Sequence, residues 1–318
     1  MSKPAALVTG CAGFIGSHMA SKLLETGFTV FGIDSLTDYY DPQIKQLRLN
    51  NLIERDDFRL VRGDLLEMML DDFAEDLEYI FHLAGQPGVR ASWSDGFGDY
   101  VDRNIVTTQR LLEMSRSAKL KRFVYASSSS VYGNAATYPC TESVLPRPFS
   151  PYGVTKLAGE RLCVAYAENF NMPTVSLRYF TVYGPGQRPD MAFKRMIDAA
   201  LGGNPFPLYG DGSASRDFTF VEDVVEATIR AGLAEVPPGT VMNISGRETY
   251  SVAEILAEIE DIIGGPVPVV QHGSESGDVM RTGGDSRLAH ELLAWEPQVS
   301  IREGLGRQIE AQRHLSAS

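Results

Sequence analysis

The stretch that decides the fold is VTGCAGFIGSH, residues 8–18. Three glycines stand three positions apart in it: Gly10, Gly13 and Gly16. An apolar run over residues 5–9 precedes them and indicates a short buried strand, and residues 14–26 continue with the pattern of a helix that ends at Gly27. Two interpretations are open for the glycines alone: a flexible turn, or a loop shaped around the phosphates of a nucleotide.

Composition limits the class of protein. The 318 residues are 43% hydrophobic, which is enough for a large core in one big domain or two smaller ones. No segment approaches the roughly 18 consecutive apolar residues of a membrane span, and the N-terminus does not resemble a secretory signal. Three cysteines far apart give neither a disulfide framework nor a metal pattern. We expect a reduced, cytoplasmic protein with no metal site.

The charge balance excludes one class of partner. There are 29 basic and 41 acidic residues, so the net charge is −12. This argues against a general nucleic-acid binder, which usually carries a basic face. An anionic small ligand is still allowed, but its site must be locally basic within an acidic protein.

Further apolar runs repeat the pattern of a strand that ends in small or polar residues: 28–34, 58–64, 79–85, 122–128 and 174–180. Helical patterns lie between them near residues 99–118 and 152–170. This alternation predicts an α/β fold with a doubly wound parallel sheet of the Rossmann type. We assign it to residues 1–180, completed by parts of 217–245.

Beyond residue 180, glycine and proline become frequent. Helical patterns continue in this region near residues 190–201, 221–234, 251–263 and 301–314. We therefore expect residues 181–318 to form a smaller mixed α/β lobe that closes over the strand ends and binds the substrate.

The residues around the three glycines favour the nucleotide-binding interpretation. A strand, a glycine loop, a helix, a second strand and an acid form the βαβ unit that binds a dinucleotide. Gly10 permits the tight turn, Gly13 lets a pyrophosphate approach, and Gly16 allows the helix to pack closely. Asp34 lies 18 residues after Gly16, close to the spacing of a ribose-binding acid. An acid there repels a 2′-phosphate, which favours NAD over NADP.

The segment PYGVTK places Tyr152 and Lys156 four residues apart. On a helix both side chains lie on one face. A tyrosine with a pKa of about 10 is a poor base at neutral pH, but a nearby ammonium stabilises the phenolate and lowers that pKa. Such a pair alone is often a surface pair. Here it follows a dinucleotide loop and the serine cluster ASSSSVYG, residues 126–133, and this context favours a catalytic pair.

The G-x-x-G-x-x-G spacing, Asp64 in RGDL and HLAG at residues 82–85 resemble the extended branch of the short-chain dehydrogenase/reductase superfamily. The resemblance implies a catalytic Ser–Tyr–Lys triad. In that family the catalytic hydroxyl stands four residues before the tyrosine of VYG, which is Ser128 here. The hydroxyl hydrogen-bonds the substrate oxygen that Tyr152 deprotonates. The implied NAD-binding residues are Gly10, Gly13, Phe14, Ile15, Gly16, Asp34, Asp64, Leu65, Leu83, Ala84, Gln86, Tyr152, Lys156 and Tyr179.

Two serines bear on the reaction. Family members that dehydrate or decarboxylate the oxidised sugar carry Glu at the position of Ser130, and the dehydratases also carry Asp at that of Ser129. This chain has only hydroxyls there. Without a carboxylic acid or base, the simplest fate of the keto sugar is return of the hydride to its opposite face, which is epimerisation.

The segment YFTVYGPGQRPDM, residues 179–191, resembles UDP-glucuronate 4-epimerases, and so do DYYD at 38–41, GVR at 88–90 and RDFTFVEDVV at 216–225. This resemblance implies a UDP-hexuronate substrate. The planar fork of Arg188 matches a carboxylate, although Arg188 and Arg90 could each be surface salt bridges instead. The expected substrate-binding residues are Arg90, Ser127, Ser128, Ser129, Tyr152, Thr181, Arg188, Phe193, Tyr209, Arg216, Asp278 and Arg281.

The roles expected in this set follow the parts of the substrate. Thr181 faces the sugar, Arg90 assists at the sugar or a phosphate, and Arg281 is a weaker phosphate candidate. The other members are expected at the nucleotide: Arg216 at the pyrophosphate or ribose, and Asp278 at the uridine ribose. Phe193 and Tyr209 are expected near uracil, although aromatic residues are more often part of the core.

Three other functions stay open from the sequence. One is a UDP-glucose/galactose 4-epimerase, which needs no carboxylate clamp, and another is a UDP-glucuronate decarboxylase. The third is a regulator that binds NAD without turnover, which would not require Ser128, Tyr152 and Lys156. Helices near 99–118 and 152–170 correspond to those that pair in family homodimers, so we expect a homodimer.

Overall fold

The computed structural model describes residues 3–69, 77–273 and 279–317. The strands are β1 Ala5–Thr9, β2 Thr29–Asp34, β3 Phe58–Arg62, β4 Tyr79–His82, β5 Arg122–Ser128, β6 Thr174–Tyr179, β7 Thr181–Tyr183, β8 Phe206–Tyr209, β9 Ser215–Phe220, β10 Thr240–Ile244, β11 Thr249–Ser251 and β12 Val269–His272. The helices are α1 Phe14–Glu25, α2 Pro42–Ile53, α3 Phe97–Tyr100, α4 Thr107–Met114, α5 Pro151–Phe170, α6 Ala192–Ala200, α7 Val221–Leu233, α8 Val252–Ile263, α9 Arg287–Leu293 and α10 Ile301–Ala317.

The large sheet is entirely parallel. Its seven strands lie in the order β3-β2-β1-β4-β5-β6-β10. From β1 the chain adds β2 and β3 on one side and then β4, β5, β6 and β10 on the other, so the strand order reverses between β1 and β4. In such sheets a ligand crevice forms outside the carboxyl ends of the strands, at the point where the strand order reverses. The predicted doubly wound Rossmann fold is confirmed.

Both faces of this sheet are buried, and β1 shows why its sequence is apolar throughout. Ala6 and Val8 pack into the cluster that includes α1 and α7, whereas Ala5 and Leu7 pack into the cluster that includes α4 and α5. Successive strand residues point to opposite faces, so a strand covered on both sides needs apolar residues at every position.

The smaller lobe contains two further sheets. One joins β11, β9 and β7, with β9 antiparallel to β11 and parallel to β7. The other pairs β8 with β12 in parallel. Helices α6, α8 and α10 pack against one another beside them. This arrangement confirms the predicted mixed α/β lobe.

Sequence patterns located β1 to β6 and most helices, but they did not mark β7 to β12 or α9, and two helices differ from expectation. The helix expected near 99–118 is α3 and α4 joined by a π-helical segment, Val101–Val106, and it ends at Met114. The patterns also missed α2, although Asp41 caps it through Gln43 N and Pro42 opens it. Among the described residues, none of the helices has the length and apolar character that a membrane span requires.

Candidate active site

A cavity of about 720 Å³ opens at the carboxyl ends of the large sheet. The ends of β1, β2, β4, β5 and β6 reach it, together with the start of α5 and the segment between β7 and α6. Its size is within the range of small-molecule sites, and its position is the one expected for a doubly wound sheet.

The glycine loop, residues 10–16, forms one wall of the cavity. Gly10 has a φ of +71°, which favours glycine, and a Cβ there would lie 2.9 Å from Ala84 N. A Cβ on Gly13 would lie 3.0 Å from Gly10 O, and one on Gly16 only 2.0 Å from the same oxygen. The third glycine therefore lets α1 pack directly on the loop that precedes it.

Asp34 ends β2 beside this loop. It is 9% exposed, and its carboxylate accepts hydrogen bonds from Ala12 N at 3.0 Å and Leu36 N at 2.8 Å. Phe14 and Ile15, the first residues of α1, line the cavity, and within the described part of the chain no side chain caps this helix. Its first N–H groups and its dipole are therefore directed at a ligand in the cavity.

Ser128 and Tyr152 meet in the cavity through a side-chain hydrogen bond. Burial raises the pKa of Tyr152, whereas a hydrogen bond with the Ser128 side chain and the positive charge of Arg188 lower it. Ser128 Oγ also accepts from Ser130 N at 3.1 Å, which fixes the hydroxyl at the end of β5. The neighbouring Ser127 donates its proton to the buried carboxylate of Glu160 at 2.9 Å.

Lys156 is 7% exposed, and its Nζ lies 4.9 Å from the ring centroid of Tyr125. Burial lowers the pKa of Lys156 to about 8. No acceptor among the described residues reaches this amine, so its N–H groups are available to a bound ligand. The sequence predicts that Lys156 lowers the pKa of Tyr152. In this structure the amine of Lys156 lies against Tyr125, and burial raises the pKa of Tyr152 by more than Ser128 and Arg188 lower it.

Arg188 lies on the other wall, 19% exposed at its side chain. It donates to Asp190 through Nε at 3.0 Å and through one terminal nitrogen at 2.9 Å. A guanidinium has five N–H donors, so this pair leaves three of them for a ligand. Thr181 lines the same wall. Arg90 lies over the ring of Tyr209, with 4.3 Å between its guanidinium carbon and the ring centroid.

Most predicted site residues line this one cavity: Gly10, Gly13, Phe14, Ile15, Gly16, Asp34, Asp64, Leu65, Leu83, Ala84, Gln86, Arg90, Ser127, Ser128, Ser129, Tyr152, Lys156, Tyr179, Thr181, Arg188 and Tyr209. Not every polar group of these residues faces the cavity. Tyr179, for example, lines the cavity while its hydroxyl lies 2.7 Å from Thr228 Oγ1 on α7.

Three predicted residues are not brought to this cavity. Phe193 is 2% exposed and packs on Phe218, with ring centroids 4.5 Å apart, so its ring is a core residue and not a uracil neighbour. Arg216 donates to Ser215 O from strand β9. Arg281 lines a separate depression and lies over Tyr138, 5.2 Å from the ring centroid. The fourth, Asp278, lies outside the described residues.

The cavity also contains residues that the sequence reasoning did not assign to it. Tyr39, Tyr40 and Lys45 line it from the segment after β2 and from α2. The motif DYYD marked this segment as part of the family resemblance, and the capped start of α2 was a second signal. Arg195, on α6, adds another positive charge to the substrate side.

Comparison with known proteins gives the decisive observation. Residues 6–245 match the NAD dependent epimerase/dehydratase family. The chain belongs to this family.

Individual members of the NAD dependent epimerase/dehydratase family match almost the full length. The chain is 42% identical to an uncharacterized UDP-glucose epimerase, YtcB, of Bacillus subtilis, with 95% of this chain and 96% of that protein covered. It is 35% identical to a probable UDP-glucuronate 4-epimerase of Rhizobium meliloti, with 96% and 95% covered. The crystal structure of a UDP-glucuronic acid 4-epimerase from Bacillus cereus, in complex with UDP-glucuronic acid and NAD, superposes with a TM-score of 0.94 at 41% identity, covering 98% and 99%.

The cofactor that names this family fits the cavity. The space where Cβ atoms would clash at Gly10, Gly13 and Gly16 is kept open, and the uncapped α1 faces it. A carboxylate, Asp34, stands where β2 ends. These are the features that accept a pyrophosphate and an adenine ribose in a βαβ unit.

Proposed function

We propose that this protein is a UDP-glucuronate 4-epimerase that interconverts UDP-glucuronate and UDP-galacturonate with bound NAD. One observation carries the proposal: Arg188 shares the cavity with Tyr152 and lies near enough for its charge to lower the pKa of Tyr152. In a hexuronate the carboxylate hangs from C5, next to the C4 that is oxidised. A cation close to the base at C4 therefore suits this substrate.

The protein groups handle the proton. NAD supplies a reversible acceptor for the hydride of C4. Ionised Tyr152 takes the proton of the C4 hydroxyl while the C4–H bond breaks and both its electrons leave with the hydride, so C4 becomes a ketone. Ser128 hydrogen-bonds the same oxygen. After the sugar has turned its other face, hydride returns to C4 and Tyr152 gives the proton back.

Lys156 and Asp34 bind rather than react. The buried amine of Lys156 donates to hydroxyls of a bound ligand, since no protein acceptor among the described residues reaches it. Asp34 accepts from the ribose of NAD with the lone pairs that Ala12 N and Leu36 N leave open. The remaining predicted cofactor residues complete the enclosure of NAD at the strand ends.

Arg188 also guards against a side reaction. Oxidation at C4 creates a β-keto acid, which loses CO₂ when the breaking C–C bond aligns with the carbonyl π system. Arg188, Thr181 and Ser129 hold the carboxylate away from that alignment. Ser130 stands where decarboxylating relatives carry an acid, so the group that would assist decarboxylation is replaced by a hydroxyl.

A UDP-glucose 4-epimerase is the second candidate. It is favoured by the pairing of Arg188 with Asp190, because a paired guanidinium is less demanding of a carboxylate in the substrate. The two functions share every proposed catalytic residue and differ only at C6 of the sugar.

Product analysis with each substrate alone tests the proposal. The protein is incubated separately with UDP-glucuronate and UDP-glucose, and products are identified by NMR and mass spectrometry over many turnovers. We expect UDP-galacturonate from the first, with little or no CO₂ and no UDP-pentose. UDP-pentose as the main product would establish the decarboxylase instead, and faster conversion of UDP-glucose would establish the second candidate.

The proposal also includes the oligomeric state of the protein and its location in the cell. The functional unit is a homodimer paired through the helical stretch 97–114 and α5, in which Phe97, Val106, Val154 and Phe170 are exposed. Free, buried thiols at each cysteine suit a reducing cytoplasm. Residues 1–180 with parts of 217–245 bind NAD, and residues 181–318 otherwise bind the nucleotide sugar.

A further inference from the structure

Arg188 stands on the carboxylate loop, which we define as residues 184–190. The smaller lobe holds this loop from one side through Gln187. Its side chain donates to Val182 O at 3.2 Å and accepts from Lys194 N at 2.9 Å and from Gln308 at 3.1 Å. These contacts fix the middle of the loop but do not touch its outer turn.

The outer turn is held by the NAD-binding part of the chain. Arg48, on α2, donates to Gly186 O at 2.6 Å, and His18 Nε2, on α1, lies 2.8 Å from Pro185 O. Burial lowers the pKa of His18, so the neutral ring donates this hydrogen bond. The carbonyls three and two residues before Arg188 are therefore anchored on helices that belong to the other half of the molecule.

Arg48 also holds the glycine loop. Its second terminal nitrogen donates to Ala12 O at 3.1 Å and to the Tyr40 hydroxyl at 2.6 Å. The N–H of Ala12 donates to Asp34. One guanidinium thus joins the loop that would receive the pyrophosphate to the loop that carries Arg188, and neither Arg48 nor His18 lines the cavity.

We propose that Arg48, assisted by His18, is a positioning residue that determines the preference for hexuronates over neutral hexoses. Arg48 places the turn before Arg188 at a fixed distance from the glycine loop, so the guanidinium meets the C6 carboxylate while C4 lies at the bound cofactor. Displacement of a charged group by an ångström weakens such a contact strongly. The proposal rests on the proposed function, because it needs Arg188 to bind the carboxylate.

Binding to the NAD-loaded enzyme tests this residue. In a Tyr152→Phe background, which prevents turnover, the dissociation constants of UDP-glucuronate and UDP-glucose are measured by calorimetry, and bound NAD is quantified after acid release. The variants are Arg48→Met, His18→Phe, Arg188→Met and the double variant of Arg48 and Arg188. Arg55→Met is the matched control, because Arg55 is exposed just after α2.

We expect Arg188→Met to reduce the preference for UDP-glucuronate by about thirtyfold or more. Arg48→Met should reduce it by about tenfold with NAD content unchanged, His18→Phe by less, and Arg55→Met not at all. In the Arg188→Met background the effect of Arg48→Met should disappear, because a residue that acts through another has nothing left to position.

Other outcomes separate the two proposals. If Arg188→Met leaves the preference unchanged, the carboxylate clamp and the proposed function fail. If Arg188→Met abolishes it but Arg48→Met weakens both ligands equally, or only releases NAD, Arg48 is a structural residue and this inference fails. Persistence of the Arg48 effect without Arg188 also overturns it.

Discussion

The two walls of the cavity differ in whether backbone atoms or side chains face a ligand. The cofactor wall, residues 10–16 with the ends of β2 and β4, is built around three glycines, where added Cβ atoms would strike other backbone atoms, and it also carries Asp34. The substrate wall, residues 181–209, presents side chains, including Arg188 and Tyr209. Backbone recognition is shared by every substrate of the enzyme, whereas a side chain can distinguish one sugar from another.

The walls also differ in charge. The cofactor wall carries Asp34, while the substrate wall carries Arg188 and Arg195 with one acid, Asp190, and Arg90 also lines the cavity. A protein with a net charge of −12 thus concentrates positive charge where an acidic sugar nucleotide would enter. Substitutions on the cofactor wall should therefore affect every substrate, and those on the substrate wall should be selective.

The largest effect is expected at Gly16. A Cβ in Gly16→Ala would lie 2.0 Å from the carbonyl oxygen of Gly10, so loop and helix must separate. We expect loss of bound NAD and of all activity, with a stability cost of about 1–3 kcal/mol. Cofactor content and thermal unfolding measure both effects. Gly98→Ala is the matched control, because a Cβ there meets nothing within 4 Å; equal behaviour of the two variants would refute the backbone account.

The next effect concerns Tyr152, which lines the cavity but belongs to neither wall. Tyr152→Phe keeps the ring but removes the base, so turnover of any accepted sugar should fall at least about a hundredfold while NAD stays bound. Steady-state kinetics and cofactor content measure this. Near-normal turnover would remove Tyr152 from its role, and loss of NAD would make it part of the cofactor wall.

A selective effect is expected at Arg188. Arg188→Met should cost UDP-glucuronate about 2–5 kcal/mol in kcat/KM, mainly because its carboxylate is left unpaired, and should affect UDP-glucose much less. Kinetics with both substrates give the ratio. Equal losses would mean that Arg188 binds the shared nucleotide or supports the fold, and the contrast between the walls would disappear.

The smallest effect is a shift in pH dependence. The hydrogen bond from Ser128 lowers the pKa of Tyr152, so its removal in Ser128→Ala should raise that pKa. Because the ionised phenol is the active form, the rising limb of kcat/KM against pH should then move to higher pH. Ser128→Thr retains a hydroxyl and should retain the wild-type pH profile. If the rising limb of kcat/KM does not move in Ser128→Ala, Ser128 does not control the pKa of Tyr152.

The sequence predicted the cofactor wall better than the substrate wall, for a physical reason. Glycine spacing, a βαβ pattern and Asp34 are local, because one continuous unit of chain forms the loop. The strand ends at Ser128 and the helix start at Tyr152 were equally readable, since parallel strands bring their carboxyl ends together.

The substrate wall depends on contacts between distant segments. Nothing local distinguishes Phe193, which packs in the core, from Tyr209, which lines the cavity. Arg48 acts across 138 residues of sequence through a backbone carbonyl, so no motif marks it. The sequence did not predict the contact of Lys156 with Tyr125 either, because the Tyr125 ring comes from a different element, β5.

The most direct test of the central claim is conversion of UDP-glucuronate in D₂O, followed by proton NMR. Oxidation and reduction at C4 by bound NAD move the same hydrogen off and back, so the account predicts UDP-galacturonate that retains its hydrogen at C4 and all six sugar carbons. Deuterium at C4, or a UDP-pentose in place of UDP-galacturonate, would contradict it.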